Sequence, residues 1–83
     1  MDATNPILKA FGAVLREKRR AAQLSQMELA DRSDLHRTYI ADIERGARNI
    51  SLISISRLAH GLGITMSGLL NGVDGNNTPP PSR

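Results

Sequence analysis

The sequence predicts a single all-α domain of five short helices. Apolar residues recur three and four positions apart, which is the spacing of one helix face. No alternating apolar and polar run is long enough to predict a strand. A polar residue able to cap a helix precedes each apolar segment: Asn5, Ser25, His36, Ser51 and Thr65. The 83 residues of the chain suffice for one small, compact domain.

The first helix is predicted from Asn5-Pro6, because Asn is a good N-cap and Pro suits the first helical position. An apolar stripe then extends to about Ala22: Ile7, Leu8, Phe11, Val14 and Leu15. Gly12 weakens this helix slightly.

The second helix has the stronger start signal. Ser25 and Glu28 have the spacing of a capping box, in which each side chain bonds a backbone N–H of the other. Leu24 and Leu29 are spaced as a hydrophobic staple. The helix is expected to extend to about Arg32, and residues 33–35 form the turn that follows it.

The third helix is predicted to begin after His36 and to end at Gly46. Leu35 and Ile40 again have the staple spacing, although His is a poor cap. Ile40 and Ile43 lie on one helical face, and Gly46 suits the left-handed conformation that ends many helices.

The fourth helix is capped by Ser51 and ends at Gly63. Its expected inward stripe is Leu52, Ile55, Leu58, Ala59 and Leu62. Thr65 caps a short fifth helix, which Asn71-Gly72 stops. These elements predict a folded domain over residues 6–73, after a flexible N-terminus at residues 1–5. Residues 74–83 have nothing to bury, so a disordered tail is expected there.

Charge and composition narrow the function. Eleven Lys and Arg against eight Asp and Glu give a net charge of +3, and the basic residues cluster, which favours a phosphate-rich partner. Only two aromatic residues are present, which disfavours proteins that stack single-stranded bases. The absence of cysteine excludes disulfides and cysteine-based zinc sites. Without an 18-residue apolar run or a signal peptide, we expect a cytoplasmic protein with no membrane partner.

The second and third helices, joined by a tight turn, have a helix-turn-helix layout. Their apolar residues stand where two steeply crossing helices would touch: Leu29, Ala30, Leu35, Ile40 and Ile43. The third helix would then expose polar residues at its start.

Residues 7–71 resemble the Xre-type, phage-repressor-like helix-turn-helix proteins. The resemblance rests on "LSQMELA", on "IERG" at the end of the third helix and on the final "LGI". "HRTYI", "IERG" and "RN" are most similar to the small controller proteins of restriction–modification systems. The resemblance implies a compact five-helix domain that binds an operator in double-stranded DNA, regulates transcription and needs no cofactor.

The third helix is then the recognition helix, which enters the major groove. Arg37 at its start is a candidate for bonding a guanine edge, whose two acceptors match the guanidinium group. Thr38 could meet a base or a thymine methyl, and His36 and Asp42 are further base-reading candidates. The family usually has Ser or Thr where this chain has His36, and Gly where it has Asp34.

A second set of residues is expected to hold the DNA backbone. The resemblance implies that Gln26, at the start of the second helix, binds a phosphate, and helix-start geometry suits that role. The other phosphate candidates are Tyr39, Arg45, Arg48, Asn49 and Ser51. The resemblance also implies a scaffold ion pair between Arg19 and Glu44, whereas Arg16, Lys18 and Arg20 are expected to be solvated.

The carboxy-terminal helices carry more apolar residues than one small core can use. Leu69 is expected to point inward, which leaves an exposed patch: Ile53, Ile64, Met66 and Leu70. Such patches commonly mark interfaces, so we expect a homodimer that recognises a palindromic or nearly palindromic operator.

Two other functional classes compete with a DNA-binding regulator. An antitoxin-like or adaptor module, whose main partner is another protein, is the alternative to a regulator. An enzyme has no support, since no nucleophile–base pair, glycine-rich phosphate loop or metal-ligand spacing is found in the sequence. The sequence leaves open the operator, the choice between activation and repression, any small-molecule effector, and contact with RNA polymerase.

Overall fold

A computed structural model describes residues 5–74 of the chain. It confirms the predicted order of helices: α1 (Pro6–Ala21), α2 (Gln26–Ser33), α3 (Arg37–Glu44), α4 (Leu52–Leu62) and α5 (Met66–Leu70). The expectations for a flexible N-terminus and a disordered tail fall mainly on residues 1–4 and 75–83, which lie outside the described residues.

The helix starts follow local chemistry. Four predicted caps each accept a backbone N–H of their own helix through the side chain: Asn5, Ser25, Ser51 and Thr65. The capping box of α2 is complete, because the N–H of Ser25 donates to Glu28 Oε1 at 2.8 Å and the N–H of Glu28 donates to Ser25 Oγ at 3.0 Å. The hydrogen bond from the Ser25 backbone lowers the pKa of the Glu28 carboxyl.

The core draws residues from all five helices and from the turn after α5. Its buried apolar members are Phe11, Val14, Leu15, Leu29, Ala30, Ile40, Ile43, Leu58, Ala59, Leu69 and Val73. In this arrangement α1 packs against α3, and α2 packs against both α3 and α4. The core therefore supports the helix-turn-helix pair from behind.

Helix α1 approaches the end of α3 backbone to backbone. A Cβ added at Gly12 would lie 2.7 Å from the carbonyl oxygen of Glu44 and nearer still to that of Ile43. Gly12 therefore allows the close contact, and its cost to helix propensity is offset by the packing that it permits.

The turn between α2 and α3 contains a residue in the left-handed conformation. Asp34 ends α2 with φ 57° and ψ 43°, and Gly46 follows α3 with φ 74°. Gln23, between α1 and α2, has φ 61°, which the sequence analysis did not anticipate. The left-handed conformation of Asp34 is one that Asp tolerates better than most residues do.

The predicted inward stripe of α4 is wrong at its first residue. Leu52 is 69% exposed, whereas Leu58 and Ala59 are buried and Ile55 and Leu62 are partly buried. The buried face is centred on Leu58, and at 100° per residue Leu52 lies about 120° away around the helix. Ile7 in the predicted α1 stripe is also half exposed, because it lies in the first turn, at the edge of the core.

Candidate nucleic-acid interface

Helix α3 has one buried side and one exposed side. Ile40 and Ile43 are almost fully buried, while His36, Arg37 and Thr38 are exposed at the start of the helix. Three of the four side chains predicted to read bases are thus presented to solvent by a helix that the core holds in place, whereas Asp42 is only 21% exposed.

His36 caps α3 in spite of being an unusual cap. Its Nδ1 accepts the backbone N–H of Thr38 at 3.3 Å. The imidazole therefore replaces the hydroxyl that more often satisfies a helix start. This contact places the His36 ring beside the exposed first turn.

A buried carboxylate ties α3 to α1. The Glu44 side chain is fully buried, and Arg19 donates to both of its oxygens, with Nε 2.6 Å from Oε2 and a terminal nitrogen 3.0 Å from Oε1. Burial raises the pKa of the Glu44 carboxyl, but hydrogen bonds from Arg19 and Gln26 lower it by more than burial raises it. The net shift of the pKa is therefore downward. The hydrogen bond with Glu44 raises the pKa of Arg19.

Arg16 belongs to the same cluster, although it was expected to be solvated. Its Nε lies 3.5 Å from Glu44 Oε1, and its side chain is half exposed. Arg16 and Arg19 are three residues apart on α1 and therefore share the face that meets α3.

Gln26 links α2 to this cluster. Its side-chain amide donates to Glu44 Oε1 at 3.1 Å. The structure thus places the first residue of α2 against the last residue of α3. Gln26, which is predicted to contact a phosphate, and Arg19, the partner in the scaffold ion pair, therefore both bind the Glu44 carboxylate.

A second charged cluster lies along the far end of α3. Asp42 pairs with Arg45, three residues later, and Arg48 Nε lies 3.7 Å from Asp42 Oδ2. The Arg48 guanidinium also lies 5.0 Å from the centre of the Tyr39 ring, within cation–π range. Two arginines predicted to contact DNA thus pair with one carboxylate, and one of them also lies against Tyr39.

Tyr39 connects α3 to the start of α4. Its hydroxyl donates to Ser54 Oγ at 3.0 Å, and Ser51 Oγ donates to the same atom at 3.1 Å. Sequence reasoning missed Ser54, although a serine four residues before Leu58 on the buried face was a signal. Asn49 is exposed in the loop between the two helices.

The predicted interface patch is exposed only in part. Ile53 is 69% and Leu70 is 37% exposed, while Ile64 and Met66 pack partly against the core. Beside Leu70 lies an apolar cleft of about 420 Å³, lined by Ile7, Leu8, Phe11, Ile50, Ile55, Leu70, Val73 and Asp74. Leu52, on the same first turn of α4 as Ile53, adds a second exposed apolar side chain.

Within residues 5–74, every helix is too short or too polar to cross a membrane.

Comparisons with known proteins fit this geometry. The helix-turn-helix family model HTH_3 matches residues 15–69. The chain is 46% identical over 69 residues to control protein C.BamHI of Bacillus amyloliquefaciens. This match covers 82% of this chain and 85% of the relative. It is 41% identical over 71 residues to control protein C.MunI of a Mycoplasma species, covering 84% of this chain and 96% of the relative. The crystal structure of the restriction–modification controller protein C.AhdI from Aeromonas hydrophila aligns with a TM-score of 0.73 and 48% identity, over 75% of this chain and 94% of that one.

Proposed function

The chain belongs to the helix-turn-helix family HTH_3, and on that premise we propose that it is a sequence-specific regulator of transcription of the restriction–modification controller type. The predicted family resemblance and the predicted all-α fold are both confirmed. The relatives named as control proteins favour a regulator over an enzyme.

One observation carries the proposed mechanism: the first turn of α3 is exposed, while the inner side of the same helix is buried in the core. Arg37 would donate two hydrogen bonds to a guanine edge in the major groove, and Thr38 would contact the neighbouring base pair or a thymine methyl. His36, whose ring caps the same turn, would face a base edge beside them. Because the core holds the inner side of α3, these side chains would meet the groove without reorganisation of the helix.

The remaining polar residues would position α3 on the DNA backbone. Arg45, Arg48 and Asn49 are exposed just after α3, and Gln26 begins α2 beside the same end of that helix. The starts of α2 at Gln26 and of α4 after Ser51 present backbone N–H groups that suit phosphates. Tyr39 would act mainly by supporting Arg48, since its hydroxyl is engaged by Ser54.

We further propose that the chain acts as a homodimer. Leu52, Ile53 and Leu70 are exposed apolar side chains, and Leu70 also lines the apolar cleft. Burial against a second copy would remove this surface from water. A twofold interface pairs the same surface on both copies. Ile64 and Met66 would contribute their exposed parts. Two recognition helices about 34 Å apart would then read a palindromic or nearly palindromic operator.

Selection of bound sites from random double-stranded DNA tests this function. The expected result is an enriched sequence with two related half-sites, and relaxed preference at one base pair of each half-site in a variant with Arg37→Ala. Arg20→Ala, an exposed arginine on α1, is the matched control and should select the same site. Failure to enrich any sequence would contradict the proposal.

The antitoxin-like alternative makes a different forecast. It requires a tight protein partner encoded beside this chain, and co-expression followed by sedimentation would detect that complex. RNA polymerase is a further candidate partner, which transcription from a promoter carrying the selected site would test.

A further inference from the structure

Asp42 places a negative charge among the residues proposed to hold DNA. It lies one turn after Thr38 on α3, and its carboxylate is only 21% exposed because Arg45 and Arg48 pack beside it. Their own side chains are 62% and 51% exposed. The two arginines are therefore accessible to phosphate, while the carboxylate between them is largely covered.

Arg45 and Arg48 cannot fully neutralise both the Asp42 carboxylate and the DNA phosphates. In the protein alone, two positive charges share one carboxylate, which leaves one net positive charge in the cluster. A DNA phosphate that approaches Arg45 or Arg48 must compete with Asp42. Exposed ion pairs are weak, so phosphate can displace the carboxylate. Asp42 then loses its partners beside a strongly negative backbone.

A hydrogen-bond donor on the DNA could compensate the displaced carboxylate. In the major groove the available donors are the amino groups of cytosine and adenine, and carboxylates accept readily from cytosine N4. A duplex that presents such an amino group at the right position would satisfy Asp42. Any other duplex would leave the carboxylate facing phosphates or carbonyl oxygens.

We propose that Asp42 is a specificity-determining residue that competes with DNA phosphates for Arg45 and Arg48. It thereby weakens binding to every duplex that does not offer an amino group to its carboxylate. This inference rests on the proposed function, since it presumes that α3 enters the major groove. It assigns to Asp42 a selective penalty in addition to any favourable base contact.

The test compares Asp42→Asn with Asp31→Asn. Both variants remove one negative charge, but Asp31 is an exposed residue of α2, on a different helix from Asp42. For Asp42→Asn, we expect affinity for random duplex DNA to rise about three- to tenfold and the salt dependence to steepen by about one unit, because one more phosphate is neutralised. The ratio of operator affinity to random-DNA affinity should fall. Circular dichroism of both variants controls for folding.

Three outcomes separate the possibilities. If Asp42→Asn matches Asp31→Asn in both random-DNA affinity and salt dependence, the inference is overturned and the proposed function stands. If Asp42→Asn weakens only operator binding, Asp42 is a base-reading residue without the competing role. If the unmodified chain binds no duplex DNA, the proposed function and this inference both fail.

Discussion

Arg37 stands at the exposed start of α3, where a side chain can reach the floor of a groove. Replacing Arg37 with Ala should cost about 1–3 kcal/mol at the operator and relax preference at one base pair in each half-site, because a two-bonded guanine contact is lost. Binding to a series of single-base operator variants measures both effects. Uniform loss of affinity across that series would instead make Arg37 a backbone contact.

Arg48 is expected to behave in the opposite way. Its guanidinium lies over the Tyr39 ring and faces solvent, so it suits a phosphate rather than a base. Arg48→Ala should weaken binding to all duplexes alike and reduce the salt dependence by about one unit. Titrations at several salt concentrations measure this. An unchanged salt slope together with unchanged affinity for random DNA would exclude the phosphate role.

For single residues, the sequence predicts exposure on a helix but not contacts between separate segments. The exposure of Thr38 follows from its spacing relative to Ile40 and Ile43, and that of Arg37 from its place in the first turn, so both could be predicted. The position of Arg48 beside Asp42 could not, because the left-handed Gly46 redirects the chain between them. Arg16 illustrates the same limit, since its contact with Glu44 depends on how closely α1 and α3 approach.

At the scale of helices, Glu44 joins α1 and α3 through Arg19. Arg19→Met should destabilise the domain by about 3–5 kcal/mol, because it leaves a buried carboxylate without its main partner. Arg20→Met, an exposed neighbour, should change the free energy of unfolding by less than about 0.5 kcal/mol. Urea unfolding of the two variants measures the difference. Equal stability of both would show that the ion pair contributes little.

The same pair makes stability depend on pH. Folding lowers the pKa of the Glu44 carboxyl, so its stabilising contribution is present above the unfolded pKa of about 4.3 and is lost as the pH falls through the lower folded value. Unfolding free energy should therefore fall on acidification below about pH 4. Glu44→Gln should reduce that dependence, whatever its effect at neutral pH.

The helices themselves were predictable because their ends rely on nearby residues. Ser25 and Glu28 complete a capping box within one turn, and Gly46 and Gly63 adopt the left-handed conformation after α3 and α4. The buried face of α4 was harder to predict. Ser54 occupies an inward position, where Tyr39 bonds it from α3, and Leu52 is exposed because it lies about 120° from Leu58 around the helix.

For the molecule as a whole, the exposed apolar side chains of α4 and α5 predict self-association. Ile53→Asp should yield a folded monomer, because Ile53 is 69% exposed and packs little within its own chain. Specific binding should weaken, since a single recognition helix reads only a few base pairs. Met27→Asp is the matched control, because Met27 is 58% exposed on α2. Sedimentation that finds the unmodified chain monomeric at tens of micromolar, yet tightly bound to its operator, would exclude the dimer.

The buried inner side of α3 has a calorimetric consequence. Proteins that order a segment when they bind typically bury about 1,000–3,000 Å² in doing so, and they show a correspondingly large negative change in heat capacity. Here Ile40 and Ile43 are already buried before any DNA arrives, so the recognition helix has little apolar surface left to remove from water. Titration calorimetry at several temperatures should therefore give a small heat-capacity change for operator binding. A large one would mean that part of the domain folds only on the duplex.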